Sequence, residues 1–149
     1  MPSRDYCISV ERKIDTGHRV LGHEGKCRFL HGHTYTITVD LTSSELFPIG
    51  FVVDFGDVKE MIDRWDHKFL LWDMDPLVVG IESGLAVREM DDEATAGIVR
   101  VPFNPTAENM AESLARRFVG SSPGFDNIEK AVVEVSETES TVATYSAYR

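Results

Sequence analysis

The sequence predicts an α+β fold, an antiparallel sheet carrying two helices on one face. Three observations lead there. The first third of the chain alternates apolar and polar residues with the period of strands, and so does the last quarter. Between them lie two segments with helical spacing. Strands and helices therefore come in blocks, where a parallel α/β chain would alternate them.

From Ile8 onward, Val10, Ile14 and His18 share one side of an extended run. A second run follows, in which Tyr35, Ile37, Val39 and Leu41 alternate with Thr34, Thr36, Thr38 and Asp40. This is the pattern of a half-buried strand rich in β-formers. "GFVVDFGD", residues 50–57, reads as a short strand turning into a helix, with Asp54 or Asp57 as its cap. Val58, Met61, Ile62 and Trp65 then keep helical spacing, and Asp66 and His67 fall at or just beyond the helix end. Residues 73–101 are acidic with scattered glycines and read as an insertion holding a weak helix or short strand. A second helix starts at Thr106 as N-cap, with Glu108 in its first turn. Ala107, Met110, Ala111, Leu114 and Phe118 form its apolar stripe, and "SSPGF" at 121–125 stops it. Ala131, Val133, Val135 and Glu137 then alternate with polar neighbours, and Thr141 to Tyr148 reads as the partner strand of a closing hairpin.

A chain of 149 residues suits one domain spanning residues 1–149. Its net charge of -10, from 15 Lys+Arg against 25 Asp+Glu, argues against a nucleic-acid surface. No apolar run approaches the roughly 20 residues needed to span a bilayer, and the first residues carry no apolar signal segment. The expected location is cytoplasmic, with no membrane partner. Two cysteines, Cys7 and Cys27, do not make a disulfide framework.

The chemistry gathers around "CRFLHGH", residues 27–33. His31 and His33 have the parity of the apolar set that follows, so both imidazoles belong to the buried face. If the first two strands form a hairpin, His18 joins them at one end of that face. Three neutral imidazoles with one coordination position left open are the pattern of a catalytic zinc site. The competing reading is three hydrogen-bonded core histidines. His23, off that parity and in the Gly-rich "GHEGK", reads as a loop residue. Cys27 is either a small buried hydrophobe or a thiolate base beside a metal. Asp66-His67 is either an oriented base or a helix-end pair favoured by the dipole. Glu137 ends an inward alternation, so it either emerges into solvent or faces a pocket and pairs with adjacent N–H donors of a ligand. Thr106 and Glu108 read first as cap and first-turn residues.

Six separated motifs resemble the 6-pyruvoyl-tetrahydropterin synthase / 6-carboxytetrahydropterin synthase family. They are "GHRV" at 17–20, "CRFLHGHTY" at 27–35, "GFVVDFGDVK" at 50–59, "WDHKFL" at 65–70, "NPTAEN" at 104–109 and "SET" at 136–138. Three residues separate Cys27 from His31. That gap is similar to the bacterial 6-carboxytetrahydropterin synthases of the queuosine (7-deazaguanine) pathway, and the animal pyruvoyl enzymes have a longer one. The resemblance implies Zn²⁺ held by His18, His31 and His33, with Cys27 as the proton-abstracting thiolate. It implies Asp66 and His67 as the relay, Glu137 as anchor of the pterin edge, and Thr106 and Glu108 near the substrate. The implied substrate is 7,8-dihydroneopterin triphosphate. The implied products are 6-carboxytetrahydropterin, acetaldehyde and triphosphate, with the pyruvoyl product or a non-catalytic pterin binder as alternatives. The implied fold is the ββααββ tunnelling fold, whose subunits join into a barrel, usually as homohexamers with active sites between subunits. Asp66 and His67 then serve a neighbour's Cys27. The chain departs from the family in three places. Ile14-Asp15-Thr16-Gly17 stands where Phe-x-Ala-Ala is common, the 73–101 insertion is longer than in compact bacterial members, and "SETES" lacks cysteines that some relatives carry.

Overall fold

The computed structural model describes residues 5–82, 97–120 and 122–149. The first two strands, β1 (Tyr6–His18) and β2 (His31–Ser43), pair antiparallel over their full length, from Tyr6 opposite Ser43 to His18 opposite His31. Helix α1 (Phe55–Asp63) follows, then β3 (Lys68–Trp72), α2 (Pro76–Glu82), β4 (Ile98–Val101), α3 (Ala107–Val119), β5 (Lys130–Thr138) and β6 (Thr141–Tyr148). The sheet has the order β4-β3-β1-β2-β5-β6.

The expected alternation holds where it was clearest. Val10, Ile14, Tyr35, Ile37, Val39, Leu41, Ala131, Val133 and Val135 are all buried on one face. Both long helices cover that face. Val58, Met61 and Ile62 of α1 and Met110, Ala111, Leu114, Ala115 and Phe118 of α3 enter the same core. Burying each large apolar side chain contributes about 1.5–3 kcal/mol. The caps are as expected: Asp54 accepts from the Gly56 N–H at 2.7 Å, and the Thr106 hydroxyl accepts from the Asn109 N–H at 3.2 Å. Helix α3 ends at its C-cap Gly120, just ahead of "SSPGF".

Two expectations need correction. The sheet is mixed: β1, β2, β5 and β6 pair antiparallel, whereas β3 lies parallel to β1, and β4 parallel to β3. The parallel strands are five and four residues long, too short to show a period. Residues 50–54 form no strand either. The Val52 and Val53 side chains are buried, but the Val52 carbonyl accepts from the Asn127 amide at 2.8 Å, and the Phe51 carbonyl turns back to the Phe47 N–H. The apolar run serves the core while its backbone is satisfied without a ladder. Where the sequence suggests a weak helix or a short strand within 73–101, α2 and β4 both lie there, and residues 83–96 lie outside the described residues.

Gly17 explains one departure noted in the sequence. A Cβ there would stand 2.4 Å from the Phe69 ring, so β3 lies against β1 through a bare backbone. Among the described residues, no helix is long and apolar enough to cross a membrane.

Candidate metal and active site

The β1–β2 register places His18 directly opposite His31, and the period of two puts His33 on the same face. The nitrogens that these three residues offer lie within 4.8 Å of one another. Two of the three rings are oriented from outside. His18 Nδ1 lies 2.6 Å from the Pro105 carbonyl, and His31 Nδ1 lies 2.6 Å from the Phe29 carbonyl. A carbonyl only accepts, so both Nδ1 atoms carry hydrogen and donate, leaving lone pairs on both Nε2 atoms. Those two Nε2 atoms face each other at 3.1 Å. His33 Nε2 is buried without a hydrogen-bond partner.

Two opposed lone pairs beside an orphaned third nitrogen make a donor set that could hold a metal ion. The set is compatible with zinc: imidazole ligands held by a backbone carbonyl on the far nitrogen, as His18 and His31 are, suit that ion. Burial lowers the pKa of His18 most strongly. The Pro105 carbonyl and Glu137 oppose that shift, and His31 and His33 add to it. The net direction keeps His18 neutral, the form that binds metal. As core histidines, His18 and His31 have hydrogen-bond partners and His33 Nε2 has none.

Glu137 stands next to this cluster. One carboxylate oxygen lies 3.8 Å from His18 Nε2 and the other 4.0 Å from His33 Nε2. It faces inward, and it also lines a cavity of about 390 Å³ together with Cys27, Thr106, Glu108 and residues of β6. Cys27 sits in a single 3-10 turn, Lys26–Arg28, within the loop joining β1 to β2. The loop closes on itself where the Val20 N–H donates to the Cys27 carbonyl at 2.7 Å. Arg28 turns toward the Glu24 carbonyl and the Phe29 ring, and His23 stays exposed in the loop, bonded to the Gly25 N–H.

Asp66 and His67 do form a pair, with His67 Nδ1 3.0 Å from an Asp66 carboxylate oxygen. The other oxygen accepts from the Asp15 N–H at 2.9 Å, and the His67 N–H donates to the Asp15 carbonyl at 2.8 Å. The bond from Asp15, with help from His67, holds the Asp66 carboxyl below its ordinary range. The dyad is well built, but within one chain it is not among the residues lining the Cys27 cavity. His67 adopts φ of 55°, a left-handed backbone that residues other than glycine seldom take.

Sequence reasoning missed the backbone acceptors. The carbonyls of Pro105 and Phe29 orient two imidazoles, and no side-chain pattern reports a carbonyl. It also missed Tyr35, which continues the parity of His31 and His33. Its ring packs edge-on against both His18 and His33, and its buried hydroxyl has no partner. Burial, with the charges of Glu137 and Cys27, drives the Tyr35 pKa up, so it stays a neutral phenol.

The family described as 6-pyruvoyl tetrahydropterin synthase matches residues 7–148. A Halobacterium salinarum protein named "Probable 6-carboxy-5,6,7,8-tetrahydropterin synthase" is 39% identical over 131 residues, covering 88% of this chain and 80% of its own length. A Rickettsia felis protein named 6-carboxy-5,6,7,8-tetrahydropterin synthase is 32% identical over 134 residues, covering 82% and 91%. Among solved structures, an uncharacterized protein from Wolinella succinogenes superposes with a TM-score of 0.71 at 24% identity, covering 99% of each chain. The 6-pyruvoyl tetrahydropterin synthase of Plasmodium vivax superposes with a TM-score of 0.67 at 20% identity, covering 98% of this chain and 99% of that one. These structural likenesses bear on the fold, which is the tunnelling fold.

Proposed function

The chain belongs to the 6-pyruvoyl tetrahydropterin synthase family, and from that premise we propose that it is a zinc-dependent 6-carboxy-5,6,7,8-tetrahydropterin synthase serving 7-deazaguanine (queuosine) biosynthesis in the cytoplasm. It converts 7,8-dihydroneopterin triphosphate and one water to 6-carboxytetrahydropterin, acetaldehyde and triphosphate. The observation that carries this reading is the convergence of three imidazoles, two of them oriented by backbone carbonyls, beside a cavity lined by Cys27 and Glu137. The names of the curated relatives favour the carboxy product over the pyruvoyl one.

His18, His31 and His33 hold Zn²⁺ in this reading. The bound ion supplies a Lewis acid for the side-chain hydroxyls of the substrate. Cys27 takes the proton from the substrate side chain, as a positioned base. Glu137 accepts hydrogen bonds from the 2-amino and N3–H edge of the pterin. Thr106 and Glu108 line the same cavity and complete the ring pocket.

Asp66 and His67 act on the Cys27 of a neighbouring subunit, in a homo-oligomer that we take to be a hexamer built around a barrel. Two features support sharing. The dyad is assembled but stands apart from its own chain's cavity. That cavity is bordered by Thr141, Val142 and Ala143 of β6, a strand at the edge of the sheet. An added strand there would remove an open edge and bring a second chain to the cavity mouth.

The test is one turnover assay. Zinc-loaded protein is incubated with 7,8-dihydroneopterin triphosphate, and acetaldehyde and triphosphate are both measured. Equal release of the two is expected. Triphosphate without acetaldehyde would assign the pyruvoyl product instead. Bound pterin with neither product would make the protein a non-catalytic binder.

A further inference from the structure

Asn104 lies between β4 and α3, immediately before Pro105. Its side chain meets the backbone of Leu21 with both of its functional groups. The Leu21 N–H donates to Asn104 Oδ1 at 3.0 Å, and Asn104 Nδ2 donates to the Leu21 carbonyl at 2.8 Å. The amide thus reproduces the pairing that a neighbouring strand would offer. The Asn104 carbonyl is held in turn, by the Thr106 N–H at 2.7 Å and by Asn109 Nδ2 at 2.9 Å.

Three parts of the site meet at this residue. On one side, Leu21 adjoins Val20, whose N–H donates to the Cys27 carbonyl and closes the thiol-bearing loop. On the other side, Pro105 presents the carbonyl that orients His18. Beyond it, Thr106 and Glu108 begin α3 and line the cavity. The loop turns sharply just after Leu21, where Gly22 takes φ of 84°.

We propose that Asn104 is a positioning residue that registers the Cys27 loop against the histidine cluster, which extends the functional reading above and rests on it. The chemistry explains the residue type. Leu21 offers one donor and one acceptor pointing the same way, and only a primary amide answers both. Alanine answers neither. Aspartate keeps the acceptor for the Leu21 N–H but loses the donor to its carbonyl. Because Asn104 and Pro105 are adjacent, releasing the side chain also frees the carbonyl that fixes the His18 tautomer. Loss of such an outer partner typically costs about 10–100-fold in metal affinity.

The test uses Asn104→Ala and Asn104→Asp in the full chain, with Cys7→Ser as the common background so that Cys27 is the sole thiol. Zinc affinity is measured by competition with a chromogenic chelator. Cys27 alkylation by iodoacetamide is measured on the zinc-loaded protein. For Asn104→Ala, zinc binding weakens about 10-fold or more, and alkylation accelerates as the loop is released. Asn104→Asp falls between Asn104→Ala and the parent on both readouts. A purely structural hydrogen bond would lower the melting temperature and leave both readouts within twofold of the parent. That result, on either readout, overturns the proposal. Should Asn104→Ala not fold, Asn109→Ala removes one support of the Asn104 carbonyl and shifts both readouts in the same direction by less. No shift there overturns it equally. Failure of the functional reading looks different, since the parent protein itself would then bind no zinc or release no triphosphate.

Discussion

Zinc should stabilise this fold by an amount the site geometry allows to be estimated. A zinc–nitrogen bond is about 2.0–2.1 Å, so tetrahedral ligand nitrogens stand about 3.3 Å apart. His18 Nε2 and His31 Nε2 are already 3.1 Å apart, and no pair in the cluster is wider than 4.8 Å. The closest pair therefore moves by about 0.2 Å and the widest by about 1.5 Å on taking up the ion. With so little to rearrange, binding energy appears as folding energy. At a free zinc concentration one hundred times the dissociation constant, the gain is about 2.7 kcal/mol. A chain of this size shifts by about 2–4 °C per kcal/mol, so the melting temperature should rise by about 5–11 °C. The assay is calorimetry of chelator-stripped protein titrated with zinc, with His31→Ala as control. The rise should disappear in His31→Ala. An unmoved melting temperature in the parent, or an equal rise in His31→Ala, would refute the reasoning.

Three further outcomes are expected. Cys27→Ser should retain the zinc-induced rise in melting temperature while turnover falls by about 10²–10⁴; turnover near that of the parent would remove the thiolate from the reaction. Arg19 and the buried Asp75 form a two-pronged ion pair, so Arg19→Met strands a carboxylate and should cost about 2–3 kcal/mol at pH 7 by denaturant unfolding. Burial raises the Asp75 pKa, but Arg19 and the Leu77 N–H win and hold it below the ordinary value. The stability it supplies is therefore complete above about pH 4 and lost as the pH falls through the lower folded value, so the gap between parent and variant should narrow on acidification below about pH 4; a gap that does not narrow would contradict the pairing. Mixing Cys27→Ser with His67→Ala, each inactive alone, should restore part of the turnover if neighbouring subunits share the site, and a mixture that stays inactive would argue against sharing.

The sequence disclosed the histidine cluster because two simple rules coincide there. Parity places His31 and His33 with the buried residues of β2, and a full-length hairpin forces His18 opposite His31. The helices were legible from stripes ending at recognisable caps, as with Thr106 and α3. What stayed hidden was whatever depends on backbone atoms or on very short pairing. β3 touches β1 at only three positions, Thr16 with Lys68 through His18 with Leu70, and nothing in "KFLLW" encodes that partner. Val52 and Val53 resemble a strand because they are buried, yet the Val52 carbonyl goes to Asn127, some 75 residues away. The Pro105 carbonyl acts on His18 at a separation of 87 residues. Such partners follow from the assembled fold and leave no local periodicity.

The arrangement also explains why the chemistry sits at one end of the sheet. Antiparallel pairing brings the end of β1, the start of β2 and the last inward residue of β5 to a single edge of the core, where His18, His31 and Glu137 meet. The inward-facing residues of the strands behind them are buried, so the histidines are set by the core while the thiol rides on the loop between β1 and β2. Asp15 marks the opposite side of β1: it is exposed, its carboxylate takes the Thr34 hydroxyl, and its backbone holds both Asp66 and His67. A dyad anchored through Asp15 cannot swing to its own Cys27 without breaking the backbone bonds that place it. In the proposed oligomer, the thiol that the dyad serves is presented by another copy of the chain, and the cavity's border on the edge strand β6 is where we propose such a copy has access.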